Sequence, residues 1–464
     1  MAMGRQGDRQ GELMVTWSEM PRSPGHVFYD RLQEVLVGAG FDGFVEDACR
    51  AYYARTMGAP SVPPGRYFRM HMVGYFEGID SERGIAWRCS DSLSLREFLR
   101  LETPDRVPDH SWMSKTRGRL PHEVHERVFG WVLALIAERG LVRGERIGVD
   151  ASTLEANAAL RQIVRRDTGE GDREMLERMA QESGIATPTA EDLIRLDRKR
   201  PGKRLSNEEW VSRTAPEARI ARMKDGTTHL AYKPEHAVDL DTGAVVAAEV
   251  HAADEGDTST LTGTLDAAQR NLTNVGAPPS PDNPAECVAD KGYHARAVLK
   301  DLDGGPWRTR IAEPQRRGVS RWQGDADARR AVYANRVRLR SEVGKQGMRQ
   351  RAELVERAFA PILDRGGLRR TWLRGRENVH TRYLIHVAGH NLGLLMRRLI
   401  GAGTPKPAVA SGGCFLVLLP TTDGAADAAI LMVLVANRAT PALIVLRMGF
   451  DHHPDKATTS STGC

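Results

Sequence analysis

Cysteine is scarce in this chain of 464 residues: five in all, at positions 49, 89, 287, 414 and 464, with no CxxC pair. An odd, widely spaced set excludes a disulfide framework and offers no zinc knuckle, and a reducing cytoplasm suits it. Long apolar runs are lacking as well. The longest, from Ala428 to Ala436, falls short of the roughly 18 to 20 residues that span a bilayer, so no membrane partner is expected. The opening Met-Ala-Met-Gly-Arg-Gln-Gly-Asp is polar where a secretory signal would carry an apolar core. No internal repeat is present.

What the chain does have is an ordinary globular balance, 41% hydrophobic and 27% charged, enough for two or three domains with cores of their own. The net charge of +6 is modest but uneven: Lys345 to Arg376 holds nine Lys or Arg against the three acids Glu353, Glu356 and Asp364. Such a block suits a polyanion. Three acids stand in settings of their own. Asp150 closes the apolar run Ile-Gly-Val, Asp290 closes Cys-Val-Ala, and Glu356 lies in the helical stretch Ala-Glu-Leu-Val-Glu-Arg-Ala-Phe. An acid at the end of a buried strand is costly unless a positive charge compensates it, and two of them with a helix carboxylate form a ligand set for divalent ions. The plainer reading is that an Asp after a strand serves a turn and that Glu353 competes with Glu356 on the helix.

Residues 23–144 read as helices after a polar tail over 1–22. Phe28, Leu32, Val35 and Leu36 share one face, Ser94 and Glu97 form a capping box, and Val124, Val128, Val132 and Leu135 repeat at helical spacing. Asp109 is a candidate cap ahead of Lys115, Arg117 and Arg119, a basic edge for duplex DNA; His122 and His125 are read as solvent-facing. From Glu145 the pattern changes to strands at Ile147–Val149, 230–232, 236–241, 245–250, 287–290 and 307–312, with helices at 258–272 and 295–302. This predicts a mixed α/β sheet with helices on its faces, interrupted by inserts at about 160–221 and 313–346. Residues 401–464 form a tail whose short apolar runs have no assigned place in the sheet.

Four segments together, Gly-Val-Asp150-Ala-Ser-Thr, Tyr232-Lys-Pro-Glu-His-Ala-Val-Asp239, Ala289-Asp290-Lys-Gly-Tyr293 and Glu356-Arg-Ala-Phe, resemble the DDE transposases of bacterial insertion sequences. The helical region before them is similar to the InsH-type N-terminal domain. The resemblance implies an RNase H-like catalytic domain over 145–400, in which Asp150, Asp290 and Glu356 are catalytic and bind two Mg²⁺, with Mn²⁺ as a substitute. It also implies a cytoplasmic, nucleoid-associated protein acting on double-stranded DNA, both the terminal inverted repeats of the element and its target, as a homodimer or larger synaptic assembly. Many relatives carry Tyr, Arg and Lys around the glutamate where this chain has Arg349, Ala352 and Leu363, with Arg351 or Arg357 as the nearby replacements.

Chemically, two ions about 3.5 to 4 Å apart activate a water and stabilise the departing 3′ oxygen; the freed 3′ hydroxyl then attacks target DNA. On a helix, Val355, Phe359 and Ile362 form the buried stripe and Glu356 falls on its flank, while Pro361 ends the helix. The DNA contacts expected are Lys291 and Tyr293 beside the second acid, the cluster Arg369, Arg370, Arg374 and Arg376, the residues Arg349, Arg351 and Arg357, and Arg321 with Trp322, whose ring suits base stacking. Two rivals share these features: a nuclease of the same fold that cuts without joining, and a degenerate copy that binds DNA as a regulator.

Overall fold

A computed structural model of the chain describes residues 26–406, apart from 55–60, 103, 201–205, 224, 316–321 and 323. The tail expected over 1–22, Arg321, and the stretch after Lys406 lie outside the described residues. Ahead of the first strand run helices α1 (Val27–Gly38), α2 (Phe41–Cys49), α3 (Pro64–Glu77), α4 (Glu82–Ser90), α5 (Leu93–Phe98), α6 (His110–Arg119) and α7 (His122–Ala137). α1 buries Phe28, Leu32, Val35 and Leu36, the stripe its spacing predicts. Asp109 caps α6 by accepting the Trp112 N–H at 2.8 Å. The capping box expected at Ser94 is not formed, because the chain enters α5 two residues earlier and the Ser92 hydroxyl accepts the Leu95 N–H instead. His125 is buried, not solvent-facing: α7 is apolar around most of its circumference, and the imidazole packs against Tyr67 and Phe68.

The sheet begins with β1 (Arg146–Ala151) and β2 (Leu154–Glu155). The first insert then supplies β3 (Ile163–Arg165), α8 (Asp172–Glu182), α9 (Ala190–Lys199) and β4 (Trp210–Ser212), with β3 and β4 paired as a separate two-stranded sheet. Its last segment, β5 (Arg219–Arg222), belongs to the main sheet. There follow β6 (Thr228–Asp239), β7 (Val245–Ala252), α10 (Asp257–Asn274), β8 (Ala285–Ala289), α11 (Arg296–Asp301) and β9 (Trp307–Ile311). Main-sheet order is β2-β6-β1-β8-β9, with β5 and β7 also on β6; β1 runs antiparallel to β6 and parallel to β8. The runs at 230–232 and 236–241 are one strand, because Pro234, which lacks an N–H, keeps its carbonyl in the sheet by accepting the Ser152 N–H at 2.9 Å.

Asp239 holds the far end of β6. Its Oδ2 accepts the N–H groups of Arg143 and Gly144, and its Oδ1 those of Asp241 and Thr242, so it serves the hairpin turn and the approach to β1 together. The second insert contains α12 (Ala326–Arg340), after which α13 (Glu342–Ala360) crosses the sheet. α13 ends at Pro361, as expected of a residue without a donor, and passes into a π turn over Pro361–Arg365. α14 (Arg376–Ile400) then packs on α7, α3 and β7. Among the described residues no helix is long and apolar enough to cross a membrane.

Candidate active site

Parallel pairing of β1 with β8 sets Gly148 beside Val288 and Val149 beside Ala289. One step further along both strands come Asp150 and Asp290. Side chains alternate across a sheet, so Asp150 shares the face of Gly148. That face is covered by α13: a Cβ on Gly148 would press on Val355, and one on Gly347 would touch Val288. The two carboxylates therefore reach the same place. Arg351 Nη2, on α13, lies 3.0 Å from Asp150 Oδ1 and 3.8 Å from Asp290 Oδ2, while its Nε donates to the Val149 carbonyl at 3.2 Å.

The register with β6 puts His236 opposite Asp150. Phe359 of α13 stacks on that imidazole with ring centroids 4.0 Å apart and planes 7° from parallel. Burial lowers the His236 pKa to about 3, so the acids have a neutral ring for a neighbour. α13 thus passes over β8, β1 and β6 in turn. Val355, Phe359 and Ile362 are buried, and Glu356 is exposed on the flank. Which flank is fixed by two contacts: Gln350 accepts from Arg146 at the start of β1, and Leu354 approaches Gly243 in the hairpin turn. At 100° per residue Glu356 falls on the opposite side, toward the strand ends that carry Asp150 and Asp290. Among the described residues no three His, Cys, Asp or Glu side chains gather closely enough to hold a metal ion. Two carboxylates meeting at one cationic nitrogen nonetheless fit magnesium, which binds through one or two acids and keeps waters or substrate oxygens for its remaining positions.

The other face of the sheet anchors Asp290. Its Oδ1 accepts the Gly292 N–H at 2.8 Å, making a tight turn over Lys291–Tyr293. Tyr293 is turned inward, 1% exposed, and its hydroxyl donates to Glu235 Oε1 at 2.8 Å. The contact with a scissile strand expected of Tyr293 is therefore closed to it; Lys291 is the exposed residue of the pair. Glu235 is itself 0% exposed and accepts from Thr260 at 2.8 Å and from Thr264, with Lys233 Nζ at 4.0 Å. Burial raises its pKa against these donors. Lys233 also pairs with Asp257 at 2.8 Å, at the start of α10, where Gly256 holds the cap position. Sequence reasoning passed over Glu235. The residue falls between the runs read at 230–232 and 236–241, and only their union in β6 puts it inside the sheet.

The expected basic contacts divide. Arg357 pairs with Glu353, Arg369 with Asp364 and the half-buried Arg117 with Glu82. Arg370 sits 3.5 Å from Glu155 with its guanidinium over Trp372, and Arg119 lies over Tyr53. Arg376 is 4.0 Å from Glu255. Arg349, Arg374 and Lys115 are exposed. Trp322 is partly buried, with Arg296 over its ring at 4.6 Å and Tyr333 at 6.0 Å. His386 and His390, four apart on α14, are interior packing residues: burial lowers their pKa values to about 3 and about 4, and His386 Nδ1 and Nε2 lie near the carbonyls of Arg382 and Gly366.

Comparison with known families places two matches on this geometry. Residues 19–119 match a transposase domain (DUF772) and residues 194–392 match a transposase DDE domain, a span that takes in Asp290 and Glu356 and starts after Asp150. No curated protein and no solved structure matches the chain.

Proposed function

Because this chain belongs to the DDE transposases, with their RNase H-like fold, we propose that it cleaves the ends of an insertion element and joins the freed 3′ ends to target DNA, using Asp150, Asp290 and Glu356. The observation that carries this is the meeting of Asp150 and Asp290 at the Arg351 guanidinium, from strand ends far apart in sequence. Divalent ions of the magnesium class, when bound, supply an activated water and stabilise the leaving 3′ oxygen. Asp150, with Asp290 and Glu356, would hold the ions, Asp150 serving as the shared ligand and the other two acids each completing one site. The turn over Lys291–Tyr293 fixes where the Asp290 carboxylate points, and neutral His236 keeps a competing charge away from Asp150. Lys291, Arg349 and Arg374 are exposed cations for the phosphates of double-stranded DNA. Bringing two element ends together calls for at least two copies of the chain.

The test is incubation of purified protein with labelled DNA from the borders of the element and Mg²⁺, comparing the parent with Glu356→Gln. Cleavage should be abolished and DNA binding kept. A variant that cuts like the parent removes Glu356 from the site; cutting by the parent without joined product favours a plain nuclease.

A further inference from the structure

The most unusual group at this site is a base among acids. Arg351 is 7% exposed, inside the fold, and its Nη2 approaches both strand-end carboxylates. An arginine placed for permanent pairing uses its planar fork. Two arginines of this chain do so: Arg69 holds both oxygens of Asp42 at 2.5 and 2.9 Å, and Arg336 holds both of Glu313 at 2.8 and 2.6 Å. Arg351 differs. Its Nε bonds the Val149 carbonyl, but its Nη2, buried and 3.0 Å from Asp150, has no hydrogen-bond partner of proper geometry among the described residues. Charge, more than directed bonding, holds it there.

We propose that Arg351 is a resident counter-ion which occupies the cation position between Asp150 and Asp290 and must withdraw before a divalent ion binds. This rests on the reading of those two acids as metal ligands. The physical reason is mutual exclusion: a guanidinium and a divalent cation cannot both lie within contact of the same two carboxylates. The latch keeps the acids compensated and close together while no ion is bound. Its energy is subtracted from that of metal binding, so divalent affinity is set partly by a residue that ligates nothing. Once withdrawn, the guanidinium is a donor in search of anions, and a DNA phosphate is the acceptor its fork matches best. DNA that captures Arg351 therefore tightens metal binding, and metal loading is favoured on substrate over free protein.

Titration calorimetry of the full chain with Mn²⁺, without DNA, tests this. Arg351→Gln should bind Mn²⁺ about tenfold tighter or more, the scale of one hydrogen-bonded charge contact. Arg351→Lys, which keeps the charge, should stay within about threefold of the parent on the same reasoning. Asp150→Asn should lose Mn²⁺ binding in both backgrounds. If Asp150→Asn weakens binding and Arg351→Gln leaves it unchanged or weaker, the latch is wrong and the metal site stands. Unaltered binding by Asp150→Asn removes the metal reading and the latch with it. Phenylglyoxal labelling of the parent, read by mass spectrometry, needs no variant: Arg351 should be protected without Mn²⁺ and modified at saturation, and equal labelling in both overturns the proposal.

Discussion

Replacing Tyr293 by Phe deletes one hydroxyl and leaves the ring in place. That hydroxyl donates to Glu235 at 2.8 Å, inside a pocket where Tyr293 is 1% and Glu235 0% exposed. Glu235 keeps Thr260 and Thr264 as donors and Lys233 at 4.0 Å, so one buried bond is lost without a charge being stranded. A hydrogen bond to an ionised acceptor is worth about 1.5–3 kcal/mol, and with other donors present the lower part of that range applies. For a chain of this size 1 kcal/mol moves Tm by about 1 °C, which gives a fall of about 2 °C by scanning calorimetry at pH 7. Glu235→Gln and the double variant close a cycle in which the coupling should exceed about 0.5 kcal/mol. The same deletion frees the turn that aims Asp290, so on the proposed reading Mn²⁺ affinity should fall in a variant whose changed atom lies on the other face of the sheet from Arg351. A Tm unchanged within about 0.5 °C, together with unchanged Mn²⁺ binding, would refute the claim that Tyr293 anchors the site.

Two further outcomes follow from packing and charge. Burial, reinforced by Glu126, lifts the Glu249 carboxyl to about 7 on a side chain 25% exposed. The folded state thus holds this proton more tightly than the unfolded chain, so its contribution is complete below about pH 4.5 and is lost as pH rises through 7. Glu249→Gln, neutral throughout, should be neutral to stability at pH 4.5 and stabilise by up to about 3 kcal/mol at pH 8, with a gain independent of pH counting against it. A Cβ at Gly389 would come 2.5 Å from the Tyr75 ring, so Gly389→Ala should cost about 1–3 kcal/mol in thermal unfolding, and Tyr75→Leu in the same chain should restore part of it.

Asp150 and Asp290 were legible because each ends an apolar run long enough to be a strand and too short to be a helix; strand pairing did the rest. Glu356 could be set on its flank from helical spacing alone, since Val355 and Phe359 are unmistakably core. Arg351 was not legible in its actual part. A sequence offers an arginine near acids as a phosphate contact by default, and only the crossing of α13 over β1 turns it toward them. Tyr293 misled for a related reason: standing three residues after a proposed ligand suggests access to substrate, whereas the turn that holds the Asp290 carboxylate buries the ring. Pro234 divided one strand into two apparent runs because a missing donor reads locally as a break, and the use of its carbonyl is invisible until the neighbouring strand is known.

The ring of Tyr75 rests on the backbone at Gly389, more than three hundred positions later. During synthesis the early helices therefore emerge with an apolar side waiting for a partner that the ribosome has yet to make. Contacts of such separation form late and leave sticky intermediates meanwhile. A product cut short before α14 would lack the surface on which α3 and α7 settle, and a premature stop should yield aggregate in place of a half-sized competitor for DNA.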